Sequence, residues 1–171
     1  MKRILEAIIF ATNKHQGQKR KYTGEDYIVH PLEVASLVSM TRDHTEDMII
    51  AAVLHDTVED CGVSNEEILN KFGIGVATLV EMLTDVSKKG DGNREKRREI
   101  DRKHTALASN DAKTIKLADL IDNTKSITTY DKDFARVYLK EKALLLEVLR
   151  GGDKVLWEIA NKQVLTEGSK L

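Results

Sequence analysis

The chain has little of the residues that interrupt, cross-link or stiffen a fold: one cysteine, one proline and 5% aromatics in 171 residues. Cys61 has no partner for an intramolecular disulfide, so the sequence demands no oxidising compartment and a cytoplasmic location is expected. An isolated thiol of this kind reads as an inert small side chain. The shortage of aromatic and strand-forming residues argues against a sandwich or a barrel. A hydrophobic content of 41% still provides for a core, which leaves an all-α domain as the expected class. Charge of one sign is lacking as well. Lys and Arg number 27 against 28 Asp and Glu, for a formal charge of −1, so no global basic field points to nucleic acid or to an anionic membrane. No apolar run approaches the roughly 18 to 20 residues that span a bilayer. The opening MKRILEAIIFATNKH is interrupted by Glu6 and is followed by no small-residue cleavage site, so it reads as an amphipathic first helix.

What is present is organised by helix periodicity. Residues 1–15 place Ile4, Ile8, Ile9 and Ala11 on one stripe, and the polar, glycine-marked HQGQKRKYTGED ends that helix. Pro31, suited to a first helical turn, opens PLEVASLVSM, with Leu32, Ala35, Val38 and Ser39 at helical spacing. Further helices are expected at 46–58, 64–72, 74–86, 93–108, 111–126, 133–149 and 153–166, with Ser64 and Glu67 forming a capping box. The glycines between them make connectors too short to separate domains. The expectation is one domain over residues 1–171, a bundle of about eight to nine helices, whose oligomeric state is not readable.

The stretch IIAAVLHDTVED, residues 49–60, carries the chemistry: an apolar helix runs into one histidine and three carboxylates within six positions. On one helix His55 and Glu59 are i,i+4, as are Asp56 and Asp60, giving two tiers about 6 Å apart along the axis. An imidazole beside a carboxylate suits a divalent first-row metal, but two ligands alone bind weakly. His30, held at a helix start by Pro31, and Asp119, after the apolar run of TIKLADLIDN and i,i+4 from Asn123, are the candidates to complete the set. The expected metal site is His30, His55, Asp56 and Asp119.

Taken together, RKYTGEDYIVHP (20–31), AAVLHDTVED (51–60), FGIGVATLVEMLTDVSK (72–88) and KLADLIDN (116–123) resemble the HD-domain phosphohydrolases. Within them the likeness is to the hydrolase domain of RelA/SpoT-type alarmone enzymes and to the small alarmone hydrolases. The resemblance implies that His30, His55, Asp56 and Asp119 hold one Mn²⁺ and that Glu59 and Asp60 are catalytic. It implies removal of the 3′-pyrophosphate from (p)ppGpp. Arg20 and Lys21 match the family's RK pair at the nucleotide edge. Tyr27 could stack or hydrogen-bond there, Asn123 could meet ribose or phosphate, and Tyr138 falls near a nucleotide-facing position. Arg94 and Arg97, at the start of a strongly basic helix after the GDGN loop, are expected to meet the pyrophosphate.

The chain also departs from the family pattern. Where the alarmone enzymes commonly carry arginines just after the metal aspartate and again after the asparagine, this chain has Leu120 and Lys125. Loss of bidentate anion binding leaves guanine over adenine open, so ppApp is a candidate substrate beside ppGpp. Two alternatives keep the fold but change the role: an HD hydrolase of 5′-nucleotides or deoxynucleoside triphosphates, and a non-catalytic nucleotide sensor. Intact HD and ED pairs speak against the sensor.

Overall fold

In the computed structural model, which describes residues 1–170, the chain folds into α-helices joined by short connectors. They are α1 (Lys2–Lys14), α2 (Val29–Ser39), α3 (Glu46–Leu54), α4 (Thr57–Cys61), α5 (Asn65–Phe72), α6 (Ile74–Leu83), α7 (Arg94–Ala106), α8 (Asn110–Tyr130), α9 (Lys132–Val148) and α10 (Lys154–Gly168). Among the described residues there is no β-strand, only an isolated bridge between Lys19 and Asp26 that closes the loop between α1 and α2.

Position in the bundle follows hydropathy. Helix α3, EDMIIAAVL, is apolar on nearly all sides and is buried from Ile50 through Leu54, so it becomes the central rod. Helices α1, α2, α6 and α8 pack on it, and α10 closes over α8 and α9. Helix α7, with a single apolar residue in REKRREIDRK, buries only Asp101 and Thr105 and lies outside. The α1 stripe differs in detail from the sequence expectation. Ala7 and Ala11 are buried and Ile4 and Ile8 half-buried, whereas Ile9 is 61% exposed, because the helix meets α3 through its small residues. In α2 the buried face is Val34, Ala35 and Val38; Leu32 and Ser39 fall off it.

Side chains set several helix starts. Thr45, Ser64, Asn93, Ser109, Asp131 and Asp153 each accept a backbone N–H in the first turn of α3, α5, α7, α8, α9 and α10. One expected helix is broken. The segment expected over 46–58 stops at Leu54 and restarts at Thr57, so His55 and Asp56 sit in a turn between α3 and α4. Side-chain bonds draw on the last carbonyls of α3: the His55 ring Nδ1 lies 2.8 Å from the Ala52 carbonyl, and the Thr57 hydroxyl donates to the Leu54 carbonyl at 2.7 Å. Counting α3 and α4 as one interrupted helix gives nine among the described residues. Helix α4 then ends at Gly62, whose φ of 67° supplies the left-handed turn that releases the chain toward α5.

Candidate active site

Three separate elements deliver polar side chains to one point. His30 comes from the first turn of α2, His55 and Asp56 from the α3–α4 break, and Asp119 from the middle of α8. The His30 Nε2 lies 3.6 Å from Asp56 Oδ2 and 3.3 Å from Asp119 Oδ1. The His55 Nε2 lies 3.0 Å from Asp56 Oδ2 and 3.9 Å from Asp119 Oδ1. The two imidazoles meet edge to face, centroids 5.2 Å apart. Donor atoms of His30, His55 and Asp56 all lie within 4.8 Å of one another.

The hydrogen bonds on the far side of each ring decide what the cluster can hold. A carbonyl only accepts, so His55 Nδ1 must carry a proton toward Ala52. A carboxylate likewise accepts, so His30 Nδ1 carries one toward Asp122 Oδ2 at 2.7 Å. In the neutral tautomers both Nε2 lone pairs therefore face Asp56 and Asp119. The His55 Nε2 is buried and has no hydrogen-bond partner among the described residues. Two imidazoles and two carboxylates with inward lone pairs, one an orphan, fit a divalent first-row cation.

Protons compete with a cation for the same lone pairs. Burial opposes charge on His30, but hydrogen bonds to Asp119 and Asp122 and the charges of Asp119 and Asp56 outweigh it and lift its pKa to about 9. His55 is raised in the same way, burial being outweighed chiefly by Asp56. Burial would raise Asp56 and Asp119, yet His55 holds Asp56, and Lys116 with His30 holds Asp119, well below the carboxylate range. Lys116, 3.3 Å from Asp119 Oδ2, resists burial through Asp119, Asp85, Glu59 and Asp56 and stays charged.

Helix α4 brings the acidic pair alongside. Glu59 Oε1 accepts the Asp85 backbone N–H at 2.6 Å, and desolvation together with the nearby Asp85 charge raises the Glu59 pKa. Asp60 Oδ2 accepts from Gln18 at 2.9 Å, and Gln18 is in turn 2.7 Å from His15 Nδ1. With the helix interrupted at residues 55 and 56, the two tiers expected on one continuous helix become a turn followed by a new helix. Asp56 and Asp60 keep an i,i+4 backbone bond at 2.9 Å, whereas His55 is turned inward.

The expected substrate contacts separate into three groups. Arg97 lines an open cleft of about 490 Å³ next to Glu59, with Lys88, Lys89, Arg94 and Arg98. Arg94 reaches that cleft while clamped in two bonds to Glu141, at 2.6 and 2.8 Å, and stacked on Phe134. Lys21, Tyr27 and Asn123 line a separate, smaller groove of about 170 Å³, together with Arg20 and Tyr22. There Lys21 is exposed, its ammonium over the Tyr22 ring. Like Arg94, three further expected contacts are already engaged within the protein. Tyr27 donates its hydroxyl to Asp56 Oδ2 at 2.7 Å and stacks on His15, Asn123 donates to Asp119 Oδ1 at 2.6 Å, and Arg20 donates to Asp122 and Asn123. Tyr138 is only 5% exposed, with its hydroxyl beside Thr124, and packs in the core.

Asp122 and Lys116 were missed by the sequence reading, although the signal was in KLADLIDN: both are i,i+3 from Asp119 and share its face of α8. Leu120 is 1% exposed in the core, so the position after the aspartate offers nothing to a ligand, while Lys125 lies beside Asp122 at a separate cleft. Cys61 is half-buried with its sulfur 3.2 Å from His15 Nδ1, and burial raises its pKa, consistent with an unreactive thiol.

Known proteins resemble this chain over most of its length. The family model for the HD domain matches residues 7–145. A guanosine-3′,5′-bis(diphosphate) 3′-pyrophosphohydrolase of Aquifex aeolicus is 41% identical over 141 residues, covering 81% of this chain but 20% of that larger protein. The guanosine-3′,5′-bis(diphosphate) 3′-pyrophosphohydrolase MESH1 of Danio rerio is 33% identical and of matching length, with 98% of this chain and 96% of that one covered. Among solved structures, one reported as a metazoan ortholog of SpoT that hydrolyses ppGpp superposes with a TM-score of 0.87 at 28% identity, over 97% of this chain and 96% of that one. The chain belongs to the HD-domain family, among the small relatives of the guanosine-3′,5′-bis(diphosphate) 3′-pyrophosphohydrolases.

Proposed function

We propose that the chain is a Mn²⁺-dependent 3′-pyrophosphohydrolase of alarmone nucleotides, acting on (p)ppGpp, (p)ppApp or both. The observation that carries this reading is the convergence of His30, His55, Asp56 and Asp119 with both Nε2 lone pairs turned inward, next to the Glu59 and Asp60 pair. The names of the relatives from Aquifex aeolicus and Danio rerio support the substrate class. A cation bound by these four residues supplies Lewis-acid polarisation and lowers the pKa of water.

The chain's own residues account for the rest. The attacking water gives its proton to the acidic pair of α4, and the raised pKa of Glu59 suits it to accept that proton. The oxygen of that water attacks the phosphorus bound to the 3′-oxygen, the bond from phosphorus to that oxygen breaks, and the 3′-oxygen leaves as a hydroxyl by taking up the proton that the acidic pair accepted. Pyrophosphate departs. The cationic cleft of Lys88, Lys89 and Arg97 beside Glu59 receives the diphosphate, and the groove of Lys21 and Tyr22 takes the nucleoside.

The test incubates purified protein with ppGpp and with ppApp, with and without Mn²⁺. Pyrophosphate should appear only with the metal. Turnover of neither nucleotide would remove the reading, and release of inorganic phosphate or triphosphate would instead identify a hydrolase of other nucleotides. Glu59→Gln and Asp60→Asn should each lower kcat by about 10²- to 10⁴-fold while Mn²⁺ still binds. Full turnover in both variants would take the acidic pair out of the chemistry.

A further inference from the structure

The proposed metal ligands His30 and Asp119 belong to different helices, α2 and α8, and each is bonded to a partner outside the proposed ligand set. Asp122 Oδ2 accepts from His30 Nδ1 at 2.7 Å. The Asn123 amide donates to Asp119 Oδ1 at 2.6 Å. Both partners converge on one guanidinium. Arg20 Nη2 donates to Asp122 Oδ2 at 3.0 Å and to the Ser126 hydroxyl at 3.3 Å, and Arg20 Nη1 donates to Asn123 Oδ1 at 3.2 Å.

Arg20 is well placed to act as such an anchor. Its side chain is 13% exposed and that of Asp122 12%, so water competes weakly for the pair. Its backbone sits in a closed loop. Arg20 donates to the Glu25 carbonyl at 2.9 Å and Gly24 donates back to the Arg20 carbonyl at 3.0 Å, a turn that needs the positive φ of Gly24 at 74°. The planar fork of an arginine reaches an aspartate and an asparagine one residue apart on α8, which a single ammonium does not match.

We propose that Arg20 is a positioning residue of the metal centre, orienting His30 through Asp122 and Asp119 through Asn123, in place of the purely nucleotide-facing role implied by the family resemblance. A carboxylate behind a ligating imidazole fixes its tautomer and ring angle, and an amide donating to the inward oxygen of a ligating carboxylate, here Asp119 Oδ1, fixes the direction of that oxygen. One side chain on the loop between α1 and α2 thereby sets the angle between ligands carried by α2 and α8. The inference rests on the metal-dependent reading above.

The experiment measures the Mn²⁺ dissociation constant by titration calorimetry for wild type, Arg20→Ala, Arg20→Lys, Asp122→Ala and Asp122→Asn, with metal-free thermal melts to show that each is folded. Removal of such outer partners weakens metal binding by roughly 10- to 100-fold, the loss expected for Arg20→Ala and Asp122→Ala, with the lysine and asparagine variants intermediate. If the alanine variants do not fold, the intermediate loss in Arg20→Lys and Asp122→Asn carries the result. Wild-type affinity in the folded variants, with only KM for the nucleotide raised in Arg20→Ala, would overturn the proposal and leave Arg20 as a substrate contact. Absence of Mn²⁺ binding by the wild type would overturn the metal-dependent reading itself.

Discussion

At the scale of single residues, the groups around the site are tuned by what surrounds them more than by their own type. Lys142 on α9 is an example outside the ligand set. Its ammonium lies over the Tyr138 ring, 5.0 Å from the centroid, with no carboxylate in ion-pair range among the described residues. Burial, with Lys116 of α8 and Arg98 of α7 opposing a further positive charge, lowers its pKa to about 8 from 10.5, against the pull of Asp119 and Asp85. The folded state therefore bears a cost below pH 8 that is relieved as the pH climbs to 10.5, where the unfolded chain still holds the proton. Lys142→Met should raise stability at pH 7 by on the order of 1 kcal/mol and remove the rise between pH 8 and 10.5. Urea unfolding across that range checks it, and an unaltered slope would contradict the assignment. The four residues of the cluster were legible in the sequence as a set, because His30, the His-Asp pair after an apolar run and Asp119 in KLADLIDN are far less readily an accident together than singly. Asp122 was not, since a carboxylate near a ligand on a helix face is indistinguishable from a solvated acid until His30, 92 residues away in sequence, is seen against it.

At the scale of elements, periodicity located the helices and the exceptions are informative. The expected helix over 46–58 is interrupted because the His55 ring and the Thr57 hydroxyl occupy carbonyls that would otherwise continue the helix. That local competition lets His55 face the cluster, buried to 3%, while Glu59 and Asp60 stay near the surface. No pattern of apolar spacing encodes it. The turn from α9 to α10 illustrates the opposite case, in which a glycine is required by a neighbour rather than by its own dihedral angles. A Cβ on Gly152 would lie 2.9 Å from a Leu117 methyl and 3.0 Å from backbone atoms of Lys113 and Thr114 on α8. Gly152→Ala should cost about 1 to 3 kcal/mol by forcing α10 off α8. Equilibrium unfolding in urea measures it, and an unchanged midpoint would mean that the α8 backbone yields without loss.

For the whole molecule, the site ties together α2, the α3–α4 break and α8, the parts of the bundle that share the core. A cation that binds this folded arrangement and not the unfolded chain stabilises the entire domain. At a free Mn²⁺ concentration a hundredfold above Kd the gain is about 2.7 kcal/mol. Chelation should lower the melting temperature accordingly, and His55→Ala should melt at one temperature with or without Mn²⁺. Equal Mn²⁺ shifts in wild type and His55→Ala would place the cation elsewhere. No helix among the described residues is long and apolar enough to cross a membrane, in keeping with the composition.

Composition and periodicity determined by themselves that the chain is an all-α domain, and the HD, ED and KLAD motifs picked out the candidate side chains for its chemistry, because helix formation and ligand type are local properties. Only tertiary structure decided that Tyr138 is core, that Tyr27 and Asn123 bond to Asp56 and Asp119, and that Arg20 bonds to Asp122 and Asn123. Those roles depend on the direction a side chain takes when distant helices pack, and that direction is set by what the neighbouring helix leaves open.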